Sequence, residues 1–241
     1  MLRKYGRVLA LIPARSGSKR LPGKNQIEFA GAPLVSWTVR FAVESGRFEK
    51  VVLSTDSLEI ASIGENYGAQ AFPLRPLELS TDAATTSSVI RHELDVLKNL
   101  HGFSFDVVVV LQPTSPIRRL RDLDTVIGET FSNHGVDGIL TIAKSHLHPR
   151  HLKRFDGGVV VPYFSSTAFE TLWDTHSDAY SPTGSLYSLK TKAFLANSDI
   201  YSLKLGGVQT PAYCNIDIDT AEDLKVAEAV ILDERFLDVF R

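Results

Sequence analysis

The sequence predicts an α/β protein built on a mainly parallel β-sheet, and two observations support this fold class. Short continuous apolar runs at Val8–Ile12, Val51–Ser54 and Val107–Leu111 each end at a proline or a polar residue, which is typical of fully buried parallel strands. Segments with helical apolar periodicity lie between these runs. Strands and helices that alternate in this way indicate parallel strands joined by right-handed crossovers.

The remaining elements follow from the same two patterns. Leu34–Val43 repeats apolar side chains at intervals of three and four residues directly after Pro33, which suits the first turn of a helix. Thr81 or Asp82 is a candidate cap for the helix that begins there. The other predicted helices are Ser57–Tyr67, Thr81–Leu100, Arg121–Phe131 and Ala221–Leu232. The other predicted strands are Ala69–Phe72, Gly138–Ile142, Val159–Val161, Leu186–Leu189 and Ile200–Leu205.

The alternation of strands and helices fails in the stretch of residues 143–187. This stretch carries a Gly-Gly pair and many Ser and Thr residues, and its apolar spacing is irregular. No linker long enough to separate independent domains interrupts the chain. The sequence therefore predicts one α/β domain, residues 1–142 and 188–241, interrupted by an insert, residues 143–187.

Composition argues against several classes of protein. The formal net charge is −2 over 241 residues, whereas a general nucleic-acid binder usually carries a basic excess. No apolar run approaches the ~20 residues that a membrane helix needs. The N-terminal residues lack the apolar length of a signal peptide. We therefore expect a cytoplasmic protein with neither a nucleic-acid nor a membrane partner.

Metal sites built on several cysteines are excluded, because Cys214 is the only cysteine. A single cysteine also rules out an intrachain disulfide and suits a reducing compartment. His146, His148 and His151 lie two and three residues apart, without a carboxylate or cysteine nearby. We interpret them as a loose exposed cluster rather than as a zinc site.

A loop rich in glycine and cations follows the first predicted strand. Residues 13–25 contain four cations, two glycines and two serines. Glycine lets backbone N–H groups approach phosphate oxygens, and serine and cationic side chains add further donors. The spacing is neither that of a Walker A loop nor that of the dinucleotide-binding glycine motif. The loop predicts a phosphate site at the carboxyl edge of the sheet, where open α/β folds bind ligands.

Two further segments present polar side chains near this edge. Gln112 follows the strongest predicted strand, and its amide can both donate and accept hydrogen bonds. Asp217 and Asp219 flank Ile218, and side chains two residues apart in an extended segment point to the same side. Such a pair repels itself unless a cation lies between, and Mg²⁺ binds few carboxylates together with phosphate oxygens and water. Alternatively, Asp219 only caps the helix that begins at Ala221.

Four more side chains have a functional and an ordinary interpretation. Arg75 stands before Pro76 on a stiff turn, where its planar fork suits a base edge or a phosphate, although it could be an exposed loop arginine. Thr85 lies near a helix start, where it either contacts a ligand or only caps the helix. Arg118 and Arg119 could bind a carboxylate, but we interpret them as an exposed pair that leads into a helix.

These segments occur together in one family. The sequence resembles the cytidylyltransferases that activate sialic-acid-type sugars, the CMP-N-acylneuraminate synthetase family. The motifs that carry the resemblance follow the family's order over nearly the whole chain: Ile12–Asn25, Ser54–Asp56, Arg75–Pro76, Asp82–Thr86 with His92, Leu111–Pro116 and Asp217–Thr220. The resemblance implies a Rossmann-like three-layer nucleotidyltransferase fold with a small inserted dimerisation domain, and a homodimer.

The resemblance also implies roles for individual residues, with CTP and a sugar acid as substrates. The implied catalytic residues are Arg15, Lys24, Asp217 and Asp219. The implied nucleotide-binding residues are Ala14, Arg15, Ser18, Lys24, Asn25, Arg75 and Thr85. The implied sugar-binding residues are Gln112, Thr183 and Tyr187. The implied metal ligands are Asp217 and Asp219, for Mg²⁺ or Mn²⁺.

One departure from the family concerns the acceptor sugar. The family commonly has Asn-Gly-Ala before the strand that lines the sugar pocket, whereas this chain has Thr183, Gly184 and Ser185. The implied function is cytidylyl transfer to a nine-carbon α-keto acid sugar of the sialic, legionaminic or pseudaminic acid type. Two alternatives are an eight-carbon Kdo-type acceptor and a non-catalytic nucleotide-binding module on the same fold.

Overall fold

The structure, a computed structural model, describes residues 6–71, 73–145, 147, 149–164, 178–197 and 199–233. The strands of its central sheet are β1 (Val8–Pro13), β4 (Lys50–Ser54), β5 (Val107–Val110), β6 (Gly138–Lys144), β9 (Tyr180–Lys190) and β10 (Leu205–Gln209). They lie in the order β10-β6-β9-β5-β1-β4. Two small hairpins lie outside this sheet: β2 (Glu28–Phe29) with β3 (Ala32–Pro33), and β7 (Lys153–Asp156) with β8 (Val159–Pro162).

Helices cover both faces of the sheet, as β1 illustrates. The described helices are α1 (Leu34–Ser45), α2 (Leu58–Asn66), α3 (Thr86–His101), α4 (Leu120–Ser132), α5 (Thr191–Asn197) and α6 (Ala221–Ile231). Val8, Ala10 and Ile12 pack in one core cluster with side chains of α1 and α4. Leu9 and Leu11 pack in another cluster with side chains of α3 and α5. Because successive strand side chains point to opposite faces, the continuous apolar run of β1 buries both of its faces.

The sheet is mostly parallel, which confirms the predicted fold class. β1 pairs in parallel with β4 and β5, and β6 pairs in parallel with β10. β9 is antiparallel to both β5 and β6. It begins at Tyr180, inside the predicted insert of residues 143–187, so the end of that segment belongs to the central sheet. The insert as a unit for sugar binding and dimerisation stays a prediction.

The helix predicted from Thr81 begins five residues later, and that boundary is wrong. α3 begins at Thr86 because Thr85 is its cap: the Oγ1 atom of Thr85 accepts a hydrogen bond from the Ser88 amide at 3.1 Å. The segment between Leu79 and Thr85 runs as turns instead. This segment of turns borders the cleft that is described below.

Two predicted strands also differ from the structure. Ile200–Leu205 is not one strand, because Ile200–Ser202 forms a 3₁₀ turn and β10 begins only at Leu205. Asp199 caps this turn by accepting a hydrogen bond from the Tyr201 amide. The strand predicted at 69–72 reduces to one bridge between Val52 and Gln70, and Phe72 lies outside the described residues.

No described helix is long and apolar enough to cross a membrane. His146 and His148 lie outside the described residues. Within the described ranges no group of three or more His, Cys, Asp or Glu side chains is placed to hold a metal ion. Cys214 is buried, and burial raises the pKa of its thiol to about 12, so the thiol stays protonated at neutral pH.

Arg118 is buried in the core, which corrects the prediction that it is exposed. Its side chain lies among the largest that are fully buried, with 1% of its surface exposed. The Nε atom donates to the carbonyl oxygen of Ser185 at 2.9 Å, and Nη1 donates to the Thr38 hydroxyl at 2.8 Å. The Nη2 atom donates to the carbonyl oxygen of Gln112. One guanidinium therefore joins the end of β5, the middle of β9 and helix α1.

Hydrogen bonds, and no acid of the described residues, balance the charge of Arg118. No carboxylate lies within ion-pair distance of it in the described part of the chain. Burial lowers the pKa of Arg118 to about 9, which still leaves the guanidinium charged at neutral pH. Arg119 is also buried, but it pairs with Asp122 at 2.6 Å. The prediction of an exposed pair fails because the segment that leads into α4 crosses the interior.

A bulge in β9 lies beside Gln112. The register of the β6–β9 pair shifts between Leu140 and Ile142, and Gly184 lies opposite this shift with a φ of 75°. A Cβ atom added to Gly184 would lie 2.6 Å from the Ser115 Oγ atom and 3.0 Å from Oε1 of Gln112. Only glycine meets both the backbone conformation and this close approach.

We predict that Arg118→Met lowers the free energy of unfolding by about 3 kcal/mol. The substitution removes the donors that satisfy the buried carbonyls of Gln112 and Ser185, and each unsatisfied buried acceptor costs about 1–3 kcal/mol. Urea unfolding measures the effect. Arg121→Met is the matched control, because Arg121 is exposed on α4. A variant as stable as wild type would mean that the desolvation cost of the cation cancels its hydrogen bonds.

Candidate active site

A cleft of about 230 Å³ lies at the carboxyl edge of the parallel strands, bordered by the segments that follow β1 and β5. Most residues predicted for the nucleotide site line it. These are Arg15, Ser18, Lys24, Asn25, Arg75 and Thr85, together with Gln112. Ala14, by contrast, is fully buried, and its amide donates to the carbonyl of Ser54 at 2.9 Å. Ala14 thus anchors the loop to β4.

The cation-rich loop is held in place by hydrogen bonds from both of its ends. The amide and the hydroxyl of Ser16 both donate to Asp56 at 2.7 Å. Burial acts to raise the pKa of Asp56, but the Ser16 hydrogen bonds, a backbone hydrogen bond of Asp56 itself and the charge of Arg75 together lower it. Gly23 has a φ of 67° and precedes a 3₁₀ turn at Lys24–Gln26. The loop is therefore a defined structure rather than a solvated basic segment.

Asn25 carries a buried acceptor at the cleft. Its Nδ2 atom donates to the carbonyl of Arg15 at 2.8 Å, which closes the loop on itself. Its Oδ1 atom is buried and accepts no hydrogen bond from the residues that the structure describes. An unsatisfied buried oxygen is costly, so this atom is a site for a ligand donor such as a hydroxyl.

Asp82 holds two of the loop cations. Nη2 of Arg15 lies 2.7 Å from one carboxylate oxygen of Asp82, and Nζ of Lys19 lies 2.5 Å from the other. Hydrogen bonds from Lys19 and Arg15 lower the pKa of Asp82. This acid belongs to the turn segment between Leu79 and Thr85. The contact therefore ties that segment to the phosphate-type loop across the cleft.

Asp219 holds the other two loop cations. Nζ of Lys24 lies 2.9 Å from Oδ1 of Asp219, and Nη2 of Arg20 lies 2.6 Å from Oδ2. The Lys24 side chain is only 12% exposed, so its amine is paired with Asp219 and has little contact with solvent. Thr220 caps α6 in a capping box with Asp223. The capping role that the sequence left open for Asp219 therefore belongs to its neighbours.

Asp217 and Asp219 are the candidate ligands for a hard cation, and both carboxylate oxygens of Asp219 are paired with Arg20 and Lys24 in this structure. The two acids flank Ile218, which is fully buried, so the short segment between β10 and α6 is fixed by its apolar centre. Asp217 is exposed, and its nearest described partner is the Ser115 hydroxyl at 3.5 Å. A pair of carboxylates next to a phosphate-type loop fits Mg²⁺, which takes one or two carboxylates and completes its shell with phosphate oxygens and water.

Arg75 is buried and faces two acids. It is 4% exposed, and its Nε atom donates to the Ser80 hydroxyl at 3.2 Å. Burial lowers the pKa of Arg75, although Asp56 and Glu93 act to raise it. Glu93 is 3% exposed, and burial raises its pKa. The interpretation of Arg75 as an exposed loop arginine is excluded by this burial, and its position at the cleft suits a ligand contact.

A second chamber of about 600 Å³ adjoins the first cleft. The two share a wall formed by 84–86 and Gln112. Thr85 lies in this wall and also caps α3, so both of its interpretations fit the structure. Tyr187 lines the second chamber, and burial, followed by the nearby Tyr201 and Asp217, raises its pKa.

Thr183 lines neither cavity. It is 2% exposed, and its hydroxyl bonds to those of Thr141 at 2.7 Å and Ser185 at 2.8 Å. These three hydroxyls lie together at the bulge of β9. In the structure Thr183 therefore shapes the backbone next to Gly184, and its hydroxyl does not reach the second chamber.

Sequence reasoning missed three residues of this site. The sequence presents Asp82 as a candidate cap and as part of the Asp82–Thr86 motif, without a role of its own in the site. Tyr201 falls in the segment predicted as a strand, and Asp199, directly before that segment, is given no role. Four cations in one loop need acidic partners, and a search for such partners could have identified Asp82. Asp199 carries no such signal, because only the packing of its turn against α3 brings it to the second chamber.

Comparisons with known proteins agree with this geometry. A family model described as Cytidylyltransferase matches residues 9–173. The chain is 35% identical to a CMP-N,N'-diacetyllegionaminic acid synthase of Legionella pneumophila, over 93% of this chain and 96% of the relative. It is 30% identical to a pseudaminic acid cytidylyltransferase of Campylobacter jejuni, over 91% of this chain and 94% of the relative.

Solved structures show the same fold at low sequence identity. A CMP:2-keto-3-deoxy-manno-octonic acid synthetase complexed with CTP superposes with a TM-score of 0.69 at 18% identity, over 93% of this chain and 98% of that one. A 4-diphosphocytidyl-2C-methyl-D-erythritol synthase of Anaerococcus prevotii gives a TM-score of 0.63 at 16% identity, over 94% and 99%. The family match, the relatives and the cleft lead to one conclusion: this chain belongs to the cytidylyltransferase family and is a nucleotidyltransferase enzyme.

Proposed function

We propose that this enzyme transfers the cytidylyl group of CTP to a nine-carbon α-keto acid sugar and releases pyrophosphate. The observation that carries the proposal is the pair of adjoining cavities with Gln112 in their common wall. One cavity is lined by cations, and the other is larger and lined mainly by hydroxyl, amide and aromatic groups. Relatives named for legionaminic, pseudaminic and N-acylneuraminic acids support an acceptor of this class.

The first cleft suits the nucleotide. Arg15 and Lys24 are the loop cations that would meet the triphosphate, and the Ser18 hydroxyl adds a donor at the same cleft. Asn25 offers a buried acceptor, because its Oδ1 atom has no described partner, while one N–H of its amide donates to the Arg15 carbonyl. This acceptor suits a ribose hydroxyl rather than a phosphate oxygen. Arg75 would contact the cytosine or a phosphate through its remaining donors.

The second chamber suits the acceptor sugar. Gln112 stands between the two cavities, so its amide can contact both the sugar and the nucleotide. Tyr187 presents a half-buried ring in this chamber, and sugar carbons pack favourably on aromatic faces. Its proximity to Asp217 brings the acceptor end of the site next to the carboxylate pair.

In the proposed reaction the oxygen of the anomeric hydroxyl forms a bond to the α-phosphorus of CTP. The bond from that phosphorus to the bridging oxygen breaks, the hydroxyl loses its proton, and pyrophosphate leaves. Arg15 and Lys24 stabilise the negative charge that develops on the leaving group. Asp217 and Asp219 would hold Mg²⁺ or Mn²⁺, an ion that neutralises phosphate charge and lowers the pKa of a bound hydroxyl.

We also propose that the enzyme is a homodimer. The β7–β8 hairpin is exposed on both faces and carries apolar side chains such as Phe155 and Val160, which are 76% and 64% exposed. An isolated two-stranded hairpin is only marginally stable in water, so a second copy is a suitable cover for it. A cytoplasmic location completes the proposal, since CTP is a cytoplasmic substrate.

The first prediction tests the reaction itself. With CTP, Mg²⁺ and a panel of sugar acids, we expect pyrophosphate release with at least one nine-carbon acceptor and a product with the mass of the CMP-sugar. Kdo is included as the eight-carbon acceptor, and reactions without acceptor are the controls. Preference for Kdo would replace the proposed acceptor class, and CTP binding without release for any sugar would indicate a binding module.

The second prediction concerns Asp82, the acid that is paired with Arg15. In Asp82→Asn the triphosphate no longer competes with a carboxylate for Arg15 and Lys19, so CTP should bind about two- to fivefold more tightly, the range expected for exposed ion pairs. Calorimetry with CTP and Mg²⁺ measures this. Asp124→Asn, which breaks the ion pair with Arg47 elsewhere, is the control. Weaker binding would mean that Asp82 positions Arg15 for the nucleotide.

The third prediction concerns the carboxylate pair. Asp217→Asn should lower kcat about a hundredfold and raise the Mg²⁺ concentration needed for half-maximal activity. Its free energy of unfolding should stay near that of wild type, because Asp217 is exposed and has one weak partner. Glu222→Gln, an exposed acid on α6, is the control. Wild-type activity at limiting Mg²⁺ would remove Asp217 from the metal site.

A further inference from the structure

The second chamber contains one charged group among its described lining residues, and that group is the carboxylate of Asp199. The rest of the lining is neutral: small side chains and hydroxyls from the start of α3, the Gln112 amide, the rings of Tyr187 and Tyr201, and Ile200. Neither the comparisons nor the sequence motifs give Asp199 a role. A lone acid in a neutral chamber distinguishes sharply between ligands that donate hydrogen bonds and ligands that are anionic.

The carboxylate of Asp199 is held in a fixed orientation. Its Oδ1 atom accepts hydrogen bonds from the Ser87 hydroxyl at 3.1 Å and from the Tyr201 amide at 3.3 Å. The Ser87 hydroxyl in turn accepts from the Ile200 amide at 3.1 Å, and Ser87 is 6% exposed. This arrangement joins the turn after α5 to the first turn of α3. The Oδ2 atom accepts no hydrogen bond from any residue in the described ranges.

We propose that Asp199 determines which acceptor is used and how it lies in the site. This inference rests on the proposed function. A hydrogen bond to an ionised acceptor is about twice as strong as a neutral one, so Oδ2 selects an acceptor that bears an amide N–H, an ammonium group or a hydroxyl. The acceptor's own carboxylate is repelled by Asp199, so it lies at the opposite end, toward Gln112 and the loop cations.

The orientation of the acceptor also brings the correct end to the nucleotide. In an α-keto acid sugar the carboxylate and the anomeric hydroxyl are on the same carbon. A sugar whose carboxylate is directed away from Asp199 therefore presents its anomeric hydroxyl at the wall shared with the first cleft. The rings of Tyr187 and Tyr201 can pack against the carbons between the two ends, and Tyr201 is 90% exposed.

The substitution Asp199→Asn tests this role without breaking the turn. The asparagine Oδ1 atom can still accept from Ser87 and Tyr201, while Nδ2 replaces Oδ2 and turns the free acceptor into a donor. We expect kcat/KM for the acceptor to fall about ten- to a hundredfold, the effect of losing a hydrogen bond to an ionised group. The KM for CTP should stay unchanged, because Asp199 does not line the first cleft. Asp95→Asn, an exposed acid on α3, controls for loss of charge.

The same assay uses acceptor analogues that lack one distal donor at a time, through deoxygenation or N-methylation. For wild type, kcat/KM should be about tenfold or more lower with the analogue that lacks the selected donor than with the parent sugar. For Asp199→Asn, kcat/KM should be the same with this analogue and with the parent sugar. Equal use of all analogues by wild type would overturn the inference, as would an unchanged acceptor kcat/KM or a parallel rise in the KM for CTP in the variant. Absence of pyrophosphate release by wild type would overturn the proposed function together with this inference.

Discussion

The site depends on the hydrogen bonds of one buried guanidinium. Arg118 donates to the carbonyls of Gln112 and Ser185 and to the Thr38 hydroxyl. Carbonyl oxygens carry only partial charges, so the cation is stabilised only while all three acceptors keep their positions around it. The wall between the two cavities, the bulge of β9 and helix α1 are therefore fixed relative to one another. The geometry at Gln112 is a consequence of how the core is built.

The charges of the site are arranged in pairs that a phosphate ligand can exchange. Asp82 and Asp219 each hold two of the four cations of the loop. This keeps the loop ordered without a ligand, since like charges crowded in one loop would otherwise repel. A triphosphate offers the same cations stronger and more numerous acceptors. On the proposed function, binding would therefore replace one set of ion pairs by another.

The fold was predictable from the sequence to a much greater extent than the site. Continuous apolar runs such as Val8–Ile12 identify strands buried on both faces, and the cations of the loop identify the phosphate edge. The burial of Arg118 was not predictable, because two of its three partners are backbone carbonyls, which any residue supplies. The start of α3 was placed too early because Thr81 and Thr85 are equally suitable caps by residue type. Asp199 was missed because only tertiary packing brings it to the second chamber.

The antiparallel strand β9 explains why the second chamber can be shaped by strand residues. In a purely parallel sheet, every strand ends at the ligand edge, and only loops reach beyond it. β9 runs the other way, with Tyr187 opposite Val110 and Lys190 opposite Val107, so its first half extends past the end of β5 while it stays paired with β6. Tyr187 thus enters the second chamber from a hydrogen-bonded strand. Because a strand keeps its register more strictly than a loop, the position of Tyr187 in that chamber is set by the pairing of β9 with its neighbours.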